Sequence, residues 1–232
     1  MSFWHTFLDL ILPRHCLACG EELNSSERDL CNVCLFSAEY ITWNSATDNP
    51  FLRTIWNNHD VEAAGSSFYY SPEAKIHNVF IAIKYQGYAQ LGKKLAYLSF
   101  PYWNSLGLGK GAEYIIPVPL SKRRKIKRGY NQAEWIAQGI SLQTGIPVNC
   151  NILKRIRNNP SQTHKTGNER KENTANIFKI KDNCIDLNDK TILLVDDIMT
   201  TGATLCDCIR ALREYFPNIK IQLYTLGFTK QN

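Results

Sequence analysis

The sequence predicts an α/β fold: a parallel sheet flanked by helices, with a small cysteine-rich module in front of it. Three observations lead there. Ile192 to Val195 is a short apolar run with two β-branched residues, the pattern of a strand buried on both faces, and it ends in Asp196 and Asp197. After Thr200-Thr201-Gly202-Ala203-Thr204, the residues Leu205, Ile209, Leu212 and Phe216 recur at helical spacing. Upstream, Glu113 to Leu120 reads as a strand stiffened at its end by Pro117 and Pro119. A basic loop and a helix carrying Ala133, Ile136, Ala137 and Ile140 follow, and Pro147 to Leu153 reads as another strand. Strand, loop, helix and strand form the βαβ unit of a parallel sheet, whose ligands sit beyond the carboxyl ends of the strands.

The chain of 232 residues allows one full-sized α/β domain and a small attachment. A hydrophobic content of 44% against 21% charged residues excludes a disordered chain. No apolar run reaches the length of a membrane span. The first residues, Met1 to Pro13, lack a basic segment and carry Asp9, so no secretory signal and a cytoplasmic protein without stable membrane insertion are expected. A net charge of +6 suits a polyanionic small ligand and nucleic acid equally well.

Taken in order, Phe3, Trp4, Phe7, Leu8 and Ile11 fall on one side of a short helix ended by Pro13. Cys16 and Cys19, then Cys31 and Cys34, form two Cys-x-x-Cys turns. Each turn offers two thiolates to one metal, and together they complete a tetrahedral site, so a structural Zn2+ in a double zinc-ribbon-like module is expected. Cys150, Cys184, Cys206 and Cys208 lack such spacing and read as small buried side chains. Residues 1–38 thus form the helix and module, 39–62 a connector, and 63–232 the main domain. Within the latter, Ala63 to Tyr70 reads as an edge strand. Ile76 to Tyr85 is a helix with Ile76, Val79, Phe80 and Ile83 inward; Leu91, Leu95 and Leu98 mark a second, and Pro101 and the 107–111 glycines break the chain.

The motif at 196–204 has the chemistry of a sugar-phosphate site. Backbone N–H groups at a helix start have no helical partners and carry partial positive charge, so an anion is welcome there without a lysine. Two adjacent carboxylates would repel that anion; they suit a vicinal diol or a divalent cation. The motif is neither a Walker A loop nor a dinucleotide fingerprint. For the basic stretch around Leu120, Ser121, Lys122, Arg123, Arg124 and Arg128, three readings stand open: a pyrophosphate clamp, a nucleic-acid patch, or a solvated loop. Residues 158–174 are polar and short of apolar anchors, as either a mobile lid or a plain surface excursion would be.

Asp196, Asp197, Thr200, Thr201, Gly202, Ala203 and Thr204 resemble the 5-phosphoribosyl 1-pyrophosphate (PRPP) binding motif of type I phosphoribosyltransferases. The resemblance implies that the acidic pair takes the ribose 2′ and 3′ hydroxyls and that Thr200 to Thr204 take the 5′-phosphate, with Mg2+ accompanying PRPP. Nearly the whole chain is similar to the competence protein ComF family. The shared segments are the four-cysteine module, Ile83-Lys84-Tyr85-x-Gly87, Pro117-Val-Pro-Leu through Arg128-Gly-Tyr-Asn-Gln132, and Ser161-Gln162-Thr163 with Glu169-Arg170-x-x-Asn173 and Phe178. That similarity places the basic stretch at the pyrophosphate loop and makes Ser161, Gln162, Thr163 and Arg170 a candidate lid. The chain departs from the family pattern near Asn159 and at Lys165 or Thr166. It also has Thr200 where purine-salvage enzymes carry an acid, which argues against purine salvage. The implied functions are phosphoribosyl binding with transfer to an unknown acceptor, single-stranded DNA handling beside a helicase in natural competence, or a zinc-bearing adaptor. Oligomers are compatible with each.

Overall fold

The computed structural model describes residues 13–56, 61–156 and 177–229. The helix expected at 3–11 and the candidate lid lie outside the described residues.

Four parallel strands form the main sheet, β1 (Ala63–Tyr69), β2 (Ala112–Pro117), β5 (Thr191–Met199) and β6 (Lys220–Phe228), in the order β1-β6-β5-β2. A parallel bridge from Ile115 to Val148 extends it beyond β2. This bridge is all the sheet receives from the strand expected over 147–153. The chain instead continues into β3 (Leu153–Arg155), which pairs antiparallel with β4 (Phe178–Ile180) in a separate ribbon. Ile192 to Val195 are fully buried, as a strand covered on both faces requires, and neighbouring β6 hides Ile221, Leu223, Tyr224 and Leu226 in the same layer. No sequence expectation covered β6. Pro217 and Asn218 make the turn before it, but its run mixes Gln222, Thr225 and Gly227 with apolar residues and has no strict alternation to announce a strand.

Helices lie beside this sheet. The apolar positions read from sequence on α3 (Ile76–Tyr85), α6 (Gln132–Thr144) and α7 (Ala203–Tyr215) are the buried ones. On α4 (Ala89–Ser105), Leu91 and Leu95 are buried but Leu98 is exposed; Phe100 and Trp103 complete the inner face. Pro101 lies inside α4, which runs on to Ser105 before glycines at left-handed φ end it. The packing of Phe100 and Trp103 on either side of the proline outweighs the hydrogen bond it removes. Gly139 of α6 meets α4 closely enough that an added Cβ would lie 2.2 Å from the Lys93 carbonyl oxygen.

The presumed connector is part of the core. Helix α2 (Pro50–Trp56) buries Phe51, Leu52 and Ile55, and Asn49 Nδ2 donates to the Ala64 carbonyl at 2.9 Å. The backbone just before it covers the free edge of β1, with Ile41 N–H donating to Ser67 O and Ala64 N–H donating to Ala46 O. An edge strand with hydrogen-bonding groups bared to another chain is thereby closed. Trp43 packs edge-on against Trp103, Tyr69 and Phe228.

Because α6 touches the α4 backbone at Gly139, Gly139→Ala should cost about 1–3 kcal/mol of unfolding free energy, measured by denaturant titration. An unchanged midpoint would mean that the two helices are not in backbone contact there.

Candidate functional site

Strand β5 does not stop at the acidic pair. Asp196 pairs with Thr225, and the ladder with β6 continues to Met199, so both carboxylates stand on the strand itself. What ends early is β2: its last rung has Val118 N–H donating to Val195 O. Beyond that point the aspartates turn back on their own strand, Asp196 Oδ1 accepting from Asp197 N–H at 2.8 Å and Asp197 Oδ1 from Ile198 N–H at 2.7 Å. Thr200 and Thr201 are exposed, and Gly202 is buried with φ 75° as the N-cap of α7. No side-chain cap occupies that helix start, which leaves first-turn N–H groups for an anion. Left-handed φ and Ile55 Cγ1 at 3.4 Å from the position of an added Cβ both call for glycine.

The acidic pair is balanced by two cations to which sequence reasoning assigned no role. Lys84, from α3, places Nζ 3.4 Å from Asp197 Oδ2, with side-chain exposures of 22% and 16%. Arg155, from β3, acts electrostatically on Asp196 and stacks over the Phe178 ring at 5.2 Å. Although part of Asp196 opens to the crevice, burial is the leading cause that pushes its carboxyl up to about 8. The Asp197 charge adds to this, while the Asp197 N–H, Lys84 and Arg155 pull the other way. The two cations offset only part of the acidic charge, and hydroxyl donors or a further cation would lower the cost of ionising Asp196. Lys84 had a visible signal: a lone cation directly after the apolar run Val79–Ile83, in the last turn of its helix.

The expected basic loop is instead a helix, α5 (Lys122–Arg128), because Ser121 accepts from Arg124 N–H at its start and Gly129 closes it in the left-handed region. Lys122, Arg123, Arg124, Lys125 and Lys127 are exposed, and Leu120 is half-buried. Arg128 faces elsewhere: its guanidinium donates to Gln132 Oε1 and Tyr85 Oη and stacks 4.6 Å over the Tyr85 ring. Tyr130, in the turn between α5 and α6, and Trp135 of α6 are half-buried, and Tyr130 Oη donates to Ile83 O.

At the other end of the chain, the four thiol sulfurs of Cys16, Cys19, Cys31 and Cys34 lie within 4.8 Å of one another. Cys19 and Cys31 are 3.8 Å apart, close to the edge of about 3.8 Å that zinc–sulfur bonds of about 2.3 Å give a tetrahedron. Backbone donors converge on this cluster, Cys31 N–H on Cys16 Sγ and Cys34 N–H on Cys31 Sγ, each at 3.3 Å. Burial resists ionisation of Cys16, but N–H groups of Cys31, Cys19 and Ala18 bring it down to about 7. Burial and the other three sulfurs push Cys34 up, so four thiolates together require a cation. Glu27 braces the loop between the two turns against the short helix α1 (Asn32–Phe36), accepting from Asn24 N–H at 3.0 Å and Asn32 N–H at 2.6 Å. The donor set fits structural zinc and leaves no open position. Of the other cysteines only Cys208 is buried; Cys150 is exposed and Cys184 and Cys206 are intermediate, because helix faces and loops rather than residue type set their exposure.

Residues 77–230 match the family described as phosphoribosyl transferase domain. Competence protein F of Haemophilus influenzae is 37% identical over 102 residues, 44% of this chain and 44% of that protein. Competence protein ComFC of Bacillus subtilis is 36% identical over 112 residues, 48% of this chain and 43% of that protein. DNA utilization protein YhgH of Salmonella typhi is 30% identical over 98 residues, 42% of each. The matched segment thus spans less than half the length of these curated relatives. No described helix is long and apolar enough to cross a membrane.

Two outcomes are expected. A carboxyl whose folded pKa lies above its unfolded value costs nothing below the unfolded value near 4 and destabilises increasingly as pH rises toward 8. Asp196→Asn should therefore raise the Tm by an amount that grows between pH 5 and pH 8.5, about 2–4 °C for each kcal/mol relieved. An Asn variant equally destabilised at both pH values would show instead that the neighbouring cations stabilise the carboxylate. Protein purified without added zinc should carry about one equivalent, and Cys31→Ser should lose it while thermal unfolding of the sheet domain persists.

Proposed function

This chain belongs to the phosphoribosyl transferase domain family, and we propose that it handles single-stranded DNA in DNA uptake or utilisation while binding PRPP or a related phosphoribosyl ligand with Mg2+. The carrying observation is that two anion-seeking elements share one edge of one sheet. Helix α5 follows the carboxyl end of β2 and the Gly202 turn follows that of β5, and β2 and β5 are adjacent and parallel.

The two elements suit different parts of a nucleic acid or nucleotide. In α5 six of seven residues are cationic, and like charges three and four residues apart destabilise a helix. A polyanion laid along it relieves that repulsion, and such contacts attract phosphates without reading sequence. The turn at Thr201–Thr204 supplies backbone donors for a terminal phosphate, while Asp196 and Asp197 accept from ribose hydroxyls. Mg2+ would screen a diphosphate against the acidic pair. The names of the relatives, competence and DNA utilization proteins, agree with the DNA half of this reading. Structural zinc at the cysteine module, and a helicase as working partner, belong to the same proposal.

A second reading, phosphoribosyl transfer to an acceptor, is favoured by Lys84 standing against Asp197, where a cation would face the charge of a departing diphosphate. Thr200 stands where a purine-salvage acid would, so the acceptor is not a purine base bound in that manner.

Neutralising Lys122, Arg123, Arg124, Lys125 and Lys127 together should flatten the salt dependence of oligothymidylate binding, by about 0.7 in slope for each lost phosphate contact, and leave PRPP-Mg2+ binding within about twofold. Gly202→Val should abolish PRPP binding and keep DNA binding. Equal loss of both ligands in either variant would contradict two separate elements, and unchanged DNA binding in the neutralised variant would leave α5 a solvated helix.

A further inference from the structure

Resting on the phosphoribosyl reading of the acidic pair, we propose that Lys84 recognises the diphosphate on C1 of the bound sugar, and that Arg128, Tyr130 and Gln132 are positioning residues that aim it. The Lys84 side chain is only 22% exposed and is paired with a carboxylate, so its cation is held at the acidic pair rather than out in solvent. Here its placement is fixed from the backbone. The last carbonyls of a helix have no partner within it, and at the end of α3 they are claimed by the segment 128–132. Tyr130 Oη donates to Ile83 O at 2.7 Å, and Gln132 Nε2 donates to Lys84 O at 3.3 Å. Arg128 holds Gln132 at 3.0 Å and Tyr85 Oη at 3.1 Å, and covers the Tyr85 ring. Three consecutive residues centred on Lys84 are each gripped. The gripping residues belong to one short run that begins at the end of the basic helix.

The chemistry of the sugar then says which phosphate Lys84 would meet. In a ribose carrying an α-diphosphate on C1, that group lies on the same face of the ring as the neighbouring 2-hydroxyl. A cation beside the carboxylates that hold the diol therefore comes within reach of the C1 group when Asp197 takes the 2-hydroxyl. The 5-phosphate is across the ring, at the Gly202 turn. Asp196 and Asp197 by themselves would repel a diphosphate. Lys84 offsets one of these charges and has three N–H donors to share between Asp197 and a phosphate oxygen. Ribose 5-phosphate, which lacks the C1 group, gains nothing from that cation.

The test is the affinity ratio of PRPP to ribose 5-phosphate, each titrated with Mg2+ into the full chain and into variants whose unfolding is checked in parallel. The parent should prefer PRPP. Lys84→Met should lose about tenfold or more in PRPP affinity and keep ribose 5-phosphate within about twofold, so the ratio falls toward one. Gln132→Leu should move the ratio in the same direction by less, and Lys84→Arg should restore part of it. If Lys84→Met does not fold, Lys84→Gln, which can still hydrogen-bond Asp197, carries the same test. A ratio unchanged by these variants, or both affinities falling together, overturns the assignment of Lys84 and leaves the phosphoribosyl reading standing. A parent that binds neither ligand overturns that reading and this one with it.

Discussion

Two carboxylates on consecutive residues of a buried parallel strand set the terms for the structure around them. Inside a sheet, buried and neighbouring like charges are both expensive: burial first, and the Asp197 charge second, hold the Asp196 carboxyl above the ordinary carboxylate range. The surrounding elements answer it. Strand β2 stops at Pro117, so the aspartates can accept from N–H groups of their own strand. Helix α3 delivers Lys84 from one side and β3 brings Arg155 to bear from another. Two cations drawn from distant elements to one acidic pair agree with the binding role proposed for it.

The remote parts of the chain bear on this site through packing. The cysteine module rests on the start of α3, where Asn78 Nδ2 donates to the Ala18 carbonyl at 3.4 Å, and a cavity of about 340 Å3 lies between Leu30, Cys34 and Ile76. The far end of the same helix carries Lys84. The 39–56 segment closes the edge of β1 and sends Ile55 under Gly202. The four-cysteine module and a core-forming segment thus pack against the elements that carry Lys84 and Gly202. Tyr224, buried with its hydroxyl against Ser67 and Ser99, stitches β6 to β1 and α4 in the layer below.

Periodic and locally encoded features were legible in the sequence. The apolar run at 192–195, the helical spacing on α3, α6 and α7, and the doubled cysteine turns each depend on neighbours within a few residues. What escaped depends on distant partners. Nothing local says that Phe51 and Ile55 meet the sheet, that Pro101 is carried through a helix by Phe100 and Trp103, or that β6 lies between β1 and β5. The candidate site divided in the same way. Asp196 to Thr204 could be read as a unit, but Lys84 and Arg155 arrive from elements far away in sequence. The sequence groups Arg128 with the rest of the basic stretch and leaves clamp, nucleic-acid patch and solvated loop open for it; the structure commits its guanidinium to Tyr85 and Gln132. The basic run was read as a loop, since charge density hides a helix whose start and end rest on one serine and one glycine.

The central claim is that the acidic pair and the Gly202 turn hold opposite ends of one phosphorylated ribose. Amide shift mapping with ribose 5-phosphate in 15N-labelled protein addresses it most directly, because the first-turn N–H groups are themselves the proposed phosphate donors. The account predicts saturable shifts at Thr201, Ala203 and Thr204 together with Asp197 and Ile198, and no comparable change along Lys122–Arg128. Shifts confined to the basic helix, or an absence of saturable shifts at the turn up to millimolar ligand, would contradict it.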